Sequence, residues 1–271
     1  KHLVSNIFNG GSNIHMYPGG KNDPELLRLK LESSDDWFTE RMEGIPRPPK
    51  GLVFQEFRVD IHLAVNDDGA PKASWQPGLP VQIWIDPGYA GAYAVLAVHP
   101  SVEGQVVVFD EIYVQKLTTD EIITVVLDKP WWKDVTGGAI DVSGFYHQAM
   151  AAPTEVWLER TGHMLKGEKI RINEGIERMR TFLQVNPLTG RPGLIINPIC
   201  RGLISELGGG PSPIDGQVHV YRWKTDRDGI IVGDTPDDRN NHAIKALTYG
   251  LVSQFGFVRS SARERIPVTY F

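Results

Sequence analysis

Asp86 closes an apolar run, Val81-Gln82-Ile83-Trp84-Ile85, and opens a tight turn, Pro87-Gly88-Tyr89-Ala90-Gly91. A second apolar run covers 92–98, and a third covers 105–114. Runs of this kind, separated by turn residues, predict three consecutive strands at hairpin spacing. Beyond residue 114 the apolar period changes. A helix is expected from a cap at Thr118 or Thr119 to about Leu127, then a short buried strand at 139–141 and a helix over 145–160 that contains Pro153. A strand at 169–172, a helix at 173–184, a strand at 194–197 and a short helix at 199–207 continue the alternation. Segments 218–224 and 229–232 suggest a hairpin, and a final helix is expected from His242 to about Phe255. Three strands and then helix–strand alternation imply an α/β fold, a mixed sheet flanked by helices. The order β-β-β-α-β-α, with one acid ending the first strand and another on the fourth, is the order of the RNase H-like fold, an analogy of fold and not of function.

Residues 1–75 differ from the rest. Residues 8–24 are rich in Gly, Asn and Pro and suggest loop; 24–43 suggest helix; Pro46-Arg47-Pro48-Pro49-Lys50-Gly51 is a rigid break; 53–63 suggest a strand. The turn-rich stretch 66–78 marks a boundary. The expected organisation is therefore 1–75 as an N-terminal extension from a preceding domain and 76–271 as the main domain. The N-terminus, Lys1-His2-Leu3-Val4, has no initiator methionine and no signal-peptide pattern, so the chain is expected to be a fragment or a processed product. The single cysteine, Cys200, excludes an internal disulfide and a cysteine-rich zinc site. No apolar stretch approaches the ~20 residues needed to cross a bilayer, so no membrane partner is expected. The net charge of −5 argues against bulk coating of nucleic acid. It is compatible with a nuclease, whose bound metal ions reverse the local sign.

Carboxylates stand at element ends in three places: Asp86; Asp141, after Gly138-Ala139-Ile140; and Asp237-Asp238, just ahead of the final helix. Acids far apart in sequence can converge on one metal site, and oxygen ligands without cysteine suit Mg²⁺ or Mn²⁺. Two such ions about 4 Å apart are a device for cutting phosphodiester bonds. Each residue also has a plainer role. Asp86 suits a turn, Asp141 and Asp238 suit helix caps, and His242 suits a packed or surface histidine. Asp110, Glu111 and Asp234 fit solvated or turn carboxylates. Arg222, Lys224 and Arg227 fit an exposed hairpin or an element that guides DNA by neutralising phosphates. Trp131, Trp132 and Trp223 fit packing.

Several pieces resemble the nuclease domain of tailed-phage terminase large subunits. They are Ile85-Asp86-Pro87-Gly88, Ala139-Ile140-Asp141, Gly175-Ile176-Glu177-Arg178, Tyr221-Arg222-Trp223-Lys224, and the block from Pro236-Asp237-Asp238 through His242-Ala243-Ile244-Lys245 to Tyr249-Gly250. Residues 8–60 resemble the end of the terminase ATPase domain. The resemblance implies an RNase H-like nuclease that cuts concatemeric double-stranded DNA with little sequence specificity. It implies two Mg²⁺ or Mn²⁺ ions held by Asp86, Asp141 and Asp238, with His242 near the metals or the scissile phosphate. It implies portal protein, small terminase subunit and sister large subunits as partners, in the cytoplasm of an infected host.

Two departures stand out. Many relatives carry an acid where this chain has Lys245, so the third ligand must come from Asp238 or Asp237. Asp238 is preferred because it lies four residues before His242, with Asp237 as an outer or alternative ligand. Lys245 is expected to face solvent or DNA phosphate. No Gly-x-x-x-x-Gly-Lys-Ser/Thr loop occurs, so the ATPase motor core is expected to lie outside this chain. The competing classes are an actin-like-fold small-molecule kinase and a catalytically inert assembly module.

Overall fold

A computed structural model describes residues 15–32, 51–141, 151–226 and 230–258. The chain divides into two compact units, Lys1–Lys50 and Gly51–Phe271. In the first, a 3-10 turn leads into α1 (Pro24–Glu32). Asp23 starts that helix: its carboxylate accepts from Glu25 N at 2.9 Å and from Gly19 N at 3.0 Å. The expected continuation of this helix to residue 43 lies outside the described residues.

The second unit is built on a six-stranded mixed sheet in the order β5-β4-β1-β2-β3-β6. Its strands are β1 (Val81–Asp86), β2 (Tyr93–Val102), β3 (Gln105–Val114), β4 (Val135–Ile140), β5 (Leu165–Lys166) and β6 (Leu194–Ile196). The meander β1-β2-β3 is antiparallel, whereas β4, β5 and β6 add in parallel. Three antiparallel strands followed by a fourth that adds in parallel beside β1 match the RNase H-like mixed sheet expected from the sequence. The helices are α2 (Val59–His62), α3 (Thr119–Leu127), α4 (Pro153–Thr161), α5 (Ile172–Leu183), α6 (Arg201–Glu206) and α7 (His242–Phe255). A separate hairpin pairs β7 (Trp223–Thr225) with β8 (Ile231–Pro236).

Alternation along β1 sorts the two cores. Val81, Ile83 and Ile85 face a cluster with Ile122, Ile123 and Val126 of α3 and Trp157 of α4. Trp84 faces the other, with Met179 of α5, Leu203 of α6 and Ala243, Leu247 and Leu251 of α7. Both faces of the meander are covered, which is why its strands read as continuous apolar runs. Helix α3 starts where expected. Thr118 Oγ1 accepts from Glu121 N at 3.3 Å and Glu121 Oε2 accepts from Thr118 N at 2.8 Å, a reciprocal cap. Pro153, which falls inside the expected helix over 145–160, is instead the first residue of α4; the part of that expectation before residue 151 lies outside the described residues.

Other expectations are revised. Residues 53–63 form no strand. Val53 and Phe54 are buried in the core, and α2 comes next, with His62 Nε2 2.9 Å from Leu183 O. Residues 51–75, assigned to the N-terminal extension on sequence, are packed within the second unit. The alternation at 53–63 reflects one apolar pair and then a helical turn. Residues 169–171 are not a strand either: Arg171 is the N-cap of α5, and the edge strand β5 forms earlier.

Two glutamates fix the helices of the Trp84 face. Glu111, which the sequence places among solvated carboxylates, accepts from Gly202 N and Leu203 N, each at 2.7 Å, at the start of α6. Its neighbour Asp110 accepts from Lys129 Nζ and Trp131 Nε1, each at 2.8 Å. Glu206, the buried last residue of α6, accepts from Ile244 N at 2.8 Å in the first turn of α7 and from the Tyr113 hydroxyl at 2.8 Å. Burial pushes the Glu111 carboxyl up to about 8 and the Glu206 carboxyl up to about 7, against the lowering effect of these hydrogen bonds.

Helix α7 lies directly on β1 because Gly250 has no side chain. A Cβ there would stand 1.8 Å from the Trp84 ring. Gly175 plays the same part between α5 and α7, where a Cβ would meet Thr248 Cγ2 at 2.4 Å. Gly250→Ala would gain about 1 kcal/mol of helix propensity. Overpacking against a fully buried indole costs about 3 kcal/mol and wins. Gly250→Ala is therefore expected to destabilise the fold by about 2 kcal/mol net in urea denaturation, with partial recovery in Gly250→Ala/Trp84→Leu. A variant as stable as the parent would show that α7 does not rest on Trp84.

Candidate functional site

The site is a product of strand register. β1 and β4 run parallel with Ile85 opposite Ile140, and Asp141 N donates to Ile85 O at 2.9 Å. One residue further on, Asp86 and Asp141 stand side by side at the carboxyl ends of neighbouring strands, about 4.8 Å apart at the backbone. Asp86 has the parity of Trp84, and Asp141 has the parity of Ala139, which shares Trp84's core. Both acids therefore belong to the face that α7 covers, and both are buried.

Helix α7 presents His242, Lys245 and Tyr249 to this edge, a spacing that puts all three on one side of a helix. His242 Nδ1 lies 2.8 Å from Asp86 Oδ2. The other edge of its ring rests on the turn after β1: a Cβ on Gly91 would come within 2.6 Å of His242 Nε2. Tyr249 hydrogen-bonds to Asp141 through its hydroxyl. Burial first, and then the Asp141 charge, push that phenol far above its ordinary range. Lys245 Nζ donates to Asp238 Oδ1 at 3.0 Å, and it also feels the charges of Asp86 and Asp141. Burial works against the ammonium, but the Asp238 hydrogen bond and the acids more than offset it, so its pKa is raised. Lys245 thus lies against the rim acid Asp238 and feels the charges of the two buried acids. Roughly a third of its side chain remains exposed (36%).

Asp86 and Asp141 are brought together, with His242 against the first of them. Asp238 sits at the rim, with 79% of its side chain exposed, and its Oδ1 also accepts from Asn241 Nδ2 at 3.1 Å. Asn241 first and Lys245 next hold the Asp238 carboxyl below its ordinary value, against partial burial. Asp237 turns to Arg239, 2.5 Å away, and that contact lowers its pKa. Among the described residues no group of three or more His, Cys, Asp or Glu side chains is placed to hold a metal ion together. Tyr249 is a site residue that sequence reasoning missed. The His242–Lys245–Tyr249 spacing was the available signal.

The proton balance of the pair can be tested without metal. Burial, reinforced by the charge of Asp141, raises the Asp86 carboxyl to about 6 despite the His242 hydrogen bond. The bond to Asp86 raises the His242 imidazole against burial. Both groups take up a proton more readily in the folded state. Their stabilising contribution is complete at low pH and is lost as pH rises through the folded values. In EDTA the chain should therefore lose on the order of 2 kcal/mol between about pH 4 and pH 7, most of it from Asp86, whose carboxyl rises from the ordinary 3.8 to about 6. Asp86→Asn should flatten that slope. Urea midpoints at the two pH values check this, and an unchanged slope in the variant would contradict it.

No protein-family profile matches the sequence, and no curated protein matches it. Solved structures do. A large terminase from a thermophilic bacteriophage, also solved with ATP-gamma-S and with ADP, superposes with a TM-score of 0.54 at 16% identity, over 84% of this chain and 51% of that one. The P22 large terminase nuclease domain gives 0.46 at 11% identity, over 73% of this chain and 93% of that one. The large terminase nuclease of thermophilic phage G20c, solved with bound cobalt, gives 0.46 at 14% identity, over 75% of this chain and 98% of that one. The chain spans about half the length of the first of these proteins (51%). At these identities the likeness is one of fold: an RNase H-like sheet flanked by helices.

Proposed function

We propose that this chain is the nuclease part of a phage terminase large subunit, a divalent-metal-dependent endonuclease that cuts double-stranded DNA during packaging. One observation carries the proposal. Two buried carboxylates, Asp86 and Asp141, stand on adjacent parallel strands under the polar face of one helix. Buried like charges that close are costly unless a cation joins them. The donor set, carboxylate oxygen without thiolate, suits Mg²⁺ or Mn²⁺. Burial first, with a smaller contribution from the Asp141 charge, raises the Asp86 carboxyl to about 6, and a perturbed carboxylate of this kind supports a functional reading of the pair. The fold shared with the nucleotide-binding large terminase is compatible with this function and does not establish it.

Asp86 and Asp141 would hold the metal, with Asp238 as the outer carboxylate that reaches the site through Lys245. When bound, a divalent ion lowers the pKa of a water nucleophile and offsets charge on the phosphate. The chain's own residues do the remaining work. His242, fixed between Asp86 and Gly91, orients one carboxylate oxygen. Tyr249 fixes Asp141 in the same way. Lys245 places a positive charge where a phosphate would approach. The hairpin carries exposed Arg222 and Lys224 on β7 and the residue before it, and these supply contacts to DNA backbone that read no sequence.

The test is incubation of the chain with supercoiled plasmid and Mg²⁺ or Mn²⁺. Nicking and linearisation are expected, without ATP, and are expected to stop in EDTA. Asp86→Asn and Asp141→Asn should each lower the rate at least about 10³-fold, because an amide is a poor ligand for a hard dication. Asp237→Asn, whose parent side chain is engaged by Arg239, should change it less than about threefold. Cutting that survives EDTA, or that Asp86→Asn leaves intact, would reject the proposal.

A further inference from the structure

Strand polarity gathers more than acids at the site's edge of the sheet. β1 and β3 flank β2 antiparallel, so both end on the side where Asp86 lies, and Asp86, Ala94 and Tyr113 share one level. Lys116 follows shortly after the end of β3. Its N donates to Tyr89 O at 3.0 Å, which ties it to the turn after Asp86. Its φ of 62° lies in the left-handed region that favours glycine, and a lysine there is under strain. On the other side, β5 runs parallel to β4 with Lys166 opposite Ala139, so the chain after β5 leaves the sheet at the edge where Asp141 follows Ile140. That segment carries Lys169 and Arg171. All four basic side chains are exposed. Acids stand in the same segments. Glu121 closes its own helix cap, Asp120 pairs with Arg160, and Glu174 lies 4.0 Å from Arg171, whose side chain is still 87% exposed. Glu168 is exposed between Lys166 and Lys169.

Resting on the nuclease assignment, we propose that this edge is the DNA track, with Lys116 holding the phosphate backbone on one side of the acid pair and Lys166, Lys169 and Arg171 holding it on the other. From β5 to β3 there are four strand intervals of about 4.8 Å, roughly 19 Å in all. That is about five or six base-pair steps at about 3.4 Å each. The acid pair is off centre. Asp141 follows the strand next to β5, whereas β2 separates the strand of Asp86 from the strand that leads to Lys116. The DNA is therefore gripped close to the cut on the β5 side and at longer range on the β3 side. Cations on both sides also offset the repulsion that keeps phosphates away from Asp86 and Asp141. The strain at Lys116 has the same explanation, because a glycine would suit the backbone but would carry no charge. Contacts of this kind go to phosphate and read no base edges, so the grip is independent of sequence.

The test separates charge from fold. Binding of a fluorescein-labelled duplex of about 30 base pairs is followed by anisotropy in EDTA, at KCl from about 50 to about 200 mM, where the slope of log K against log salt counts the phosphates neutralised. Lys116→Gly should lower that slope by about 0.9, and Lys166→Gln/Lys169→Gln/Arg171→Gln by about 2.7. Lys133→Gln, just ahead of β4 and so at the opposite edge, should leave it unchanged. Lys116→Gly should also melt no lower than the unaltered chain, since glycine suits the backbone there. In plasmid cleavage both track variants should raise KM and leave kcat within about twofold. If the triple variant does not fold, its single substitutions replace it, each lowering the slope by about 0.9. A lower melt in Lys116→Gly would remove Lys116 from the track. Unchanged slopes in the track variants, or an equal drop in Lys133→Gln, would overturn the track and leave the nuclease assignment standing. No binding of the duplex by the unaltered chain, in EDTA or in Ca²⁺, would overturn both.

Discussion

The parallel pairing of β1 with β4 is the constraint on which the rest depends. Ile85 opposite Ile140 is an apolar match, buried on the face covered by α3 and α4. The same register places Asp86 beside Asp141 on the opposite face. A slip of one residue would send one carboxylate into the α3 side and an isoleucine into the site. Hydrophobic burial thus enforces the juxtaposition of two like charges that repel each other. The cost is local and the gain is spread over the whole sheet.

Helix α7 closes over that edge, and its approach is decided by small residues. Gly250 against Trp84 and Gly175 against Thr248 let backbones come near, so the polar stripe His242–Lys245–Tyr249 reaches the acids. Gly91 does the same for the imidazole. Each polar residue of the stripe has a carboxylate partner from a different element: β1, the segment after β4, and the loop before α7. The arrangement is therefore a network, and its members are not independent.

Much of the fold is legible in the sequence. The meander, α3 with its Thr118 cap, and α7 can be read from period and capping alone. The failures have physical causes. Residues 53–63 carry apolar side chains that fill a core under α5 without joining the sheet, and periodicity cannot separate that from a strand. Residues 169–171 pair with no strand and lead into α5, with Arg171 extended as its N-cap. Within the site, Asp86 and Asp141 were legible because strand ends before turns are identifiable. The orientation of Asp238 was not, since its fate depends on Lys245 and Asn241 competing for one carboxylate oxygen. The roles of Glu111 and Glu206 were hidden because a glutamate on a strand or at a helix end looks solvated until the helix it caps is known.

Those two glutamates give the molecule a chain of dimensions. Glu111 on β3 locates the start of α6, and Glu206 at the end of α6 locates the start of α7. The position of the imidazole over Asp86 is thus referenced to a strand two places away in the sheet, through a helix held at both ends. Tolerances add along such a chain. A shift of Glu111 on β3 is passed to the start of α7 through that helix, although nothing between them touches a reacting group. Damage there would leave both strand-end acids in place and misalign what covers them. A lesion remote from the site would then look, in any functional assay, like a lesion within it.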